Sequence, residues 1–167
     1  MPMITPDPMA LSRLRAFMAQ HGLAVLAVPR TDIHQSEVTA PHDDCLHYLT
    51  GFSGSAGMAL VLADRALIFV DGRYQVQVRD EVDPALWQVH HLHDEPPAAW
   101  LRAHAAPGWR AGVDAARITC ATFDALAEAC AAAGAELVAL AADPFGSIWP
   151  GRPDKPLGKL RAMPVAL

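Results

Sequence analysis

Leu23–Val28 is an unbroken apolar run with no polar face to offer water. A run of this length reads as a strand buried on both sides, so the fold must supply cover for two sheet faces. Two further runs, Met58–Leu62 and Ala66–Val70, meet at Asp64-Arg65 and read as a hairpin, though without the glycine that makes such a turn strong.

Helical patterns separate these strands. Asp7-Pro8 is expected to open a first helix as cap and first-turn proline. Leu11, Leu14, Phe17 or Met18 and His21 recur along it, and Gly22 closes it. A polar loop, Pro29–Pro41, leads to a short helix expected over Asp43–Leu49. Gln75–Val82 is ambiguous: Tyr74, Val76 and Val78 alternate as in a strand, while Tyr74, Val78 and Val82 fit a helix. Length and the run Arg79-Asp80-Glu81 favour the helix.

Leu86–Leu92 reads as a strand, Pro96-Pro97 starts a helix through Trp100, Leu101 and His104, and Trp109–Val113 is a strand. Thr119 caps a helix with Phe123, Leu126, Ala127 and Cys130 on one face, ended by Gly134, and Glu136–Leu140 is the last strand. Alternating strands and helices with one hairpin inside predict an α/β fold, a mixed sheet flanked by helices. The 167 residues suffice for one domain with a real core.

From Pro150 the prolines and glycines break regular structure, and Lys155, Lys159 and Arg161 make the tail basic. Residues 1–149 thus read as the domain and 150–167 as a linker towards a further domain, so the chain is expected to be a fragment.

Composition narrows the function. The net charge of −5 lacks acidic or basic blocks, so neither nucleic acid nor an anionic membrane is an expected partner. No apolar run approaches the roughly 18 residues of a membrane span, and Met1–Pro8 does not read as a signal peptide, so the expected location is cytoplasmic. Cys45, Cys120 and Cys130 form no metal or disulfide pattern and are expected to be small buried side chains. Eleven arginines against two lysines, with abundant alanine, read as the composition of a GC-rich bacterium.

Several motifs invite chemistry. Gly51-Phe-Ser-Gly-Ser-Ala-Gly57 has no lysine for a phosphate loop, precedes a strand where a Rossmann loop would precede a helix, and does not fit the nucleophile elbow. It reads as a turn that lets backbone pass close to a neighbour. Two loose histidine clusters, His91, His93, Asp94 and Glu95, and His34, Glu37, His42, Asp43 and Asp44, lack specific metal-ligand spacing. Asp71-Gly72-Arg73-Tyr74 follows a buried strand, where sites in α/β sheets tend to lie. Arg73 there is able to grip a carboxylate or peptide carbonyl, against the plainer reading of a capping Asp71 and a surface arginine.

Four motifs then converge: His34-Gln-Ser-Glu37, Leu49-Thr-Gly-Phe-Ser-Gly-Ser-Ala-Gly57, Phe69-Val-Asp-Gly-Arg-Tyr74, and Ile148-Trp149 with Arg152-Pro153. In this order and spacing, from about Leu11 to about Pro153, the chain resembles the N-terminal, creatinase-type domain of the aminopeptidase P (Xaa-Pro aminopeptidase) family. Val38 departs from the usual aromatic residue, and Phe145-Gly146-Ser147 from the usual Val-Asp pair.

The resemblance implies a mixed, about six-stranded, ribonuclease H-like sheet. It also implies a parent hydrolase that removes an N-terminal residue preceding proline. Two divalent metal ions, usually manganese, would sit in a following pita-bread catalytic domain, with no metal ligand and no activity in this piece. The implied partners are that catalytic domain, a second copy in a homodimer, and a peptide with proline second. Arg73 carries over as substrate-contacting. His34, Glu37, Phe52 and Asp71 match the pattern as weaker candidates. A stand-alone binding or assembly module is the alternative. A relative acting on another amide such as creatine is a third reading, disfavoured by the His-Gln-Ser-Glu and Asp-Gly-Arg-Tyr elements.

Overall fold

A computed structural model describes residues 6–158. The linker residues Lys159, Arg161 and Pro164 lie outside the described residues.

The buried run forms β1 (Val25–Pro29), with every residue out of water. It pairs antiparallel with β2 (Gly57–Leu62) and parallel with β5 (Arg110–Asp114). β3 (Ala66–Val70) completes the expected hairpin with β2, β4 (Gln88–His91) lies parallel outside β3, and β6 (Glu136–Leu140) lies parallel outside β5. The order is β4-β3-β2-β1-β5-β6, a mixed six-stranded sheet in which β2 alone opposes the other strands.

The two-residue period of the strands builds two cores. Leu26, Val28, Val61 and Ile68 pack on one face with α1 (Ala10–Gln20), α2 (Cys45–Thr50), α3 (Gln77–Glu81) and α6 (Phe145–Ile148). Val25, Leu60, Leu67 and Phe69 pack on the other with α4 (Pro97–His104) and α5 (Cys120–Ala132).

Boundaries moved where turn chemistry claimed residues. Helix α1 starts at Ala10 because Asp7 and Pro8 form the preceding turn, the Asp7 carboxylate accepting from the Met9 N–H at 2.8 Å. At its end Gly22 takes a left-handed φ of 63°. Gly22 N–H donates to Ala19 and Leu23 N–H to Met18, a Schellman closure that removes Leu23 from the expected strand. The helix expected over Asp43–Leu49 splits into a 3-10 turn, Pro41–Asp43, and α2, which Asp44 caps.

Residues 72–82 resolve the same way, into a 3-10 turn Gly72–Tyr74 and the helix α3. A turn at Asp83 accepts from Leu86 and Trp87 N–H, so β4 begins only at Gln88. On α5 the buried residues are Leu126, Ala129 and Cys130, so Ala129 is more deeply buried than the expected Ala127. Cys120 is exposed in the first turn of α5, contrary to the expected burial, because the capped helix end faces outward there.

After α6 the chain is locked back onto α2. Trp149 stacks on Tyr48 with ring centroids 4.2 Å apart, and the Ile148 carbonyl accepts from Arg13 Nε at 2.9 Å and the Tyr48 hydroxyl at 3.1 Å.

Candidate functional site

The glycine-rich loop does steric work. Gly51 ends α2 with φ 83°. The Phe52 ring then folds beneath Gly54 so closely that a Cβ on Gly54 would lie 2.2 Å from Phe52 Cζ. Phe52 is fully buried and meets Tyr74 edge-on, with centroids 5.5 Å apart and planes at 78°. Ser55, from the same loop, hydrogen-bonds the Tyr74 hydroxyl at 2.8 Å, holding that phenol below its ordinary pKa.

Arg73 stands beside this aromatic pair. Asp71 caps the 3-10 turn by accepting the Arg73 N–H at 3.0 Å, and the same oxygen accepts Arg73 Nε at 2.9 Å. These two bonds, the backbone one foremost, bring the Asp71 carboxyl down to about 2. The Arg73 guanidinium carbon lies 5.2 Å from the Tyr74 ring centre, a cation–π distance, yet 64% of the side chain faces solvent. Glu37 is close enough to add to the field on Arg73. The plain reading and the functional one therefore coexist: Asp71 is a cap, and it also orients a solvent-facing guanidinium.

Next to this group a cleft of about 640 Å³ opens at the C-terminal ends of β1 and β5. Met58, Ile118 and Leu126 line it with apolar surface, while Glu37, Ser55 and Thr122 supply polar groups. Its size is that of a ligand site. His34 is not part of it: it lines a second depression on the far side of the loop, with His42, Asp143 and Lys155. His34 and Glu37, neighbours in one motif, thus serve different surfaces.

The loop between them is held by local hydrogen bonds. Asp32 is buried and accepts from the N–H groups of His34 (2.8 Å) and Ser36 (3.0 Å). Burial alone would raise its pKa, but these bonds outweigh it and hold the carboxyl low. Gln35 takes a left-handed φ of 56°.

A buried ionic network that sequence reasoning missed anchors the loop's ends. Arg117 contacts Asp43 at 2.7 Å, Asp114 at 3.2 Å and Asp143 at 3.3 Å. Arg152 meets Asp143 at 2.7 Å and donates to the His42 carbonyl at 2.8 Å. Arg30 pairs with Asp44 at 3.1 Å and donates to the Gly54 carbonyl at 3.1 Å, linking this network to the glycine loop. The signal was present in Asp114-Ala-Ala-Arg117, an acid at the end of a buried strand with an arginine three residues on, much as Asp71 and Arg73 follow β3.

The cluster of His91, His93, Asp94 and Glu95 does not converge, while His34, His42 and Asp43 of the other cluster line one depression. His90 pairs with Glu95 (2.6 Å), His91 with Asp94 (3.3 Å) and His93 with Asp71 (3.5 Å), each separately. Among the described residues no group of three or more His, Cys, Asp or Glu is placed to hold a metal ion. The described residues do not fit a two-metal centre. Also among the described residues, no helix is long and apolar enough to cross a membrane.

Comparison with known proteins matches residues 11–143 to the creatinase/prolidase N-terminal domain. The probable Xaa-Pro aminopeptidase P of Aspergillus fumigatus is 35% identical over 158 residues, covering 92% of this chain and 24% of the relative. That of Aspergillus oryzae is 37% identical with the same coverage. The chain therefore spans about a quarter of the length of these curated relatives. Among solved structures, the X-prolyl aminopeptidase of Caenorhabditis elegans, described as a cytosolic enzyme with a di-nuclear active site, superposes with TM-score 0.78. Its identity is 26%, over 87% of this chain and 26% of that one. The N-terminal domain of the cytoplasmic peptidase PepQ from Mycobacterium tuberculosis H37Rv gives TM-score 0.59 and 27% identity, over 80% of this chain and 94% of that one.

Proposed function

The chain belongs to the creatinase/prolidase N-terminal domain family, and from that premise we propose that it is the non-catalytic N-terminal domain of a metal-dependent Xaa-Pro aminopeptidase. The parent would release the residue preceding a proline in second position. The relatives' names and the quarter-length match support this reading. In it, residues 1–149 form the domain and 150–167 lead to a catalytic domain holding two divalent metal ions, manganese by family precedent. The protein is a cytoplasmic homodimer in this reading. Its arginine- and alanine-rich composition supports a bacterial source, the two curated relatives above being fungal.

The observation that carries the domain's own role is the Arg73 guanidinium, oriented by Asp71 and open to solvent. Such a fork suits a peptide carboxylate or carbonyl oxygen. Phe52 is in the core and acts from beneath Tyr74, Asp71 acts by holding Arg73, and Glu37 stands at the cleft. His34, on the other depression, is the weakest of the candidates.

The test is hydrolysis of a short peptide with proline second, with Mn²⁺ present, by the 167-residue chain and by the product of its uninterrupted reading frame. Cleavage by the longer protein alone is expected. In that protein Arg73→Ala should lower kcat/KM by a factor that corresponds to about 1–3 kcal/mol of lost transition-state stabilisation. Failure of the longer protein to cleave, or unchanged kinetics in Arg73→Ala, would overturn the reading or the role of Arg73 respectively.

A further inference from the structure

Arg73 has a long, flexible side chain, and a mostly exposed one would ordinarily sample many rotamers. Here it is held at two points. Asp71 takes Nε, and among the described residues neither Nη group donates to a protein acceptor, so that side of the fork is left for a ligand. The Tyr74 ring lies against the guanidinium. What fixes the ring is therefore what fixes the free side of the fork.

The ring is fixed by the glycine-rich loop. Ser55 holds its hydroxyl at 2.8 Å and Phe52 holds its body edge-on. Phe52 reaches that position only because residue 54 has no Cβ. A second close approach seats the loop on the sheet, since a Cβ on Gly57 would lie 2.9 Å from the Phe69 carbonyl oxygen.

We infer that Tyr74 and Ser55 are positioning residues for Arg73, so that the Gly51–Gly57 loop and the Asp71–Tyr74 turn act as one device that aims the guanidinium at a peptide's carboxylate or carbonyl oxygen. The inference rests on the proposed role of Arg73 as the group that touches substrate. The turn that lets backbone pass close to a neighbour is on this account a brace for an aromatic shelf.

Two variants remove the same hydrogen bond from opposite ends, Ser55→Ala and Tyr74→Phe. In the full-length protein each should raise KM for an Xaa-Pro peptide about 2–10-fold, the effect of one hydrogen bond, with little change in kcat. Neither should add to the loss in Arg73→Ala, because the brace has nothing left to aim. Equal KM effects in the presence and absence of Arg73, or wild-type KM in both variants, would overturn the inference.

A second readout needs no activity. In ¹⁵N spectra of the 167-residue chain the Arg73 Nε–H signal should move in both variants, while that of Arg65, paired with Asp64 on the surface, should not. An Arg73 signal that stays in place overturns the positioning role. If Arg73→Ala leaves the kinetics unchanged, the substrate role of Arg73 falls, and the spectra alone decide whether Tyr74 and Ser55 position it. Circular dichroism identifies a variant that fails to fold, in which case the other carries the test.

Discussion

Replacing Arg117 by alanine tests whether the fold closes through its buried charges. The side chain is only 6% exposed and contacts three carboxylates, those of Asp43, Asp114 and Asp143. It also donates to the carbonyls of Thr31 at 3.4 Å and Asp43 at 3.2 Å. Among the described residues, Asp143 is the one of its partners that keeps another arginine, Arg152. Removing one member of a buried ion pair while leaving the opposite charge in place costs about 3–5 kcal/mol. For a chain of this size each kcal/mol lowers Tm by about 2–4 °C, so a fall of about 6–20 °C is expected.

The assay is urea denaturation of the 167-residue chain, with Arg65→Ala as the control. Arg65 and Asp64 form an exposed pair, for which a loss of about 0.5 kcal/mol or less is expected. A loss below about 1 kcal/mol at neutral pH would refute the claim that this network holds the loop and the tail together.

Gly54→Ala should cost about 1–3 kcal/mol by forcing the buried Phe52 ring aside, whereas Gly146→Ala, with open space around it, should be within about 0.5 kcal/mol of wild type; thermal melts of the two compare them directly. The Asp71 carboxyl lies at about 2 against an ordinary 3.8, so its folded form is the stronger acid. Its stabilising effect is therefore full above pH 3.8 and lost as pH falls through 2. The stability gap between wild type and Asp71→Asn should be flat from pH 7 to 5 and narrow in acid; a gap independent of pH down to 2 would contradict the Asp71–Arg73 link.

Much of the fold was legible because local and global preferences agree. An apolar run such as Leu23–Val28 has one good solution, a strand covered on both faces, and the hairpin of β2 and β3 follows from a gap too short for any other connection. Glycines at 22 and 134 end helices because both adopt left-handed φ values. Where boundaries were misread, at Leu23 and Leu86 turn hydrogen bonds had claimed residues whose apolar character suggested continuation, and at Asp44 a capping hydrogen bond divided the expected helix.

The candidate site divides along the same line. The sequence alone determined the elements, the family pattern and the placing of Arg73 just beyond the end of a buried strand, since periodicity and turn residues act over a few neighbours. Only the tertiary structure decided that Ser55 meets Tyr74, that Phe52 lies in the core as a prop, that His34 and Glu37 face different surfaces, and that Arg117 gathers carboxylates from three segments. Apart from the local Asp114–Arg117 pair, those contacts join residues far apart in the chain, and nothing in local propensity records them; they exist because burying charge and aromatic surface is favourable only where each group finds its partner.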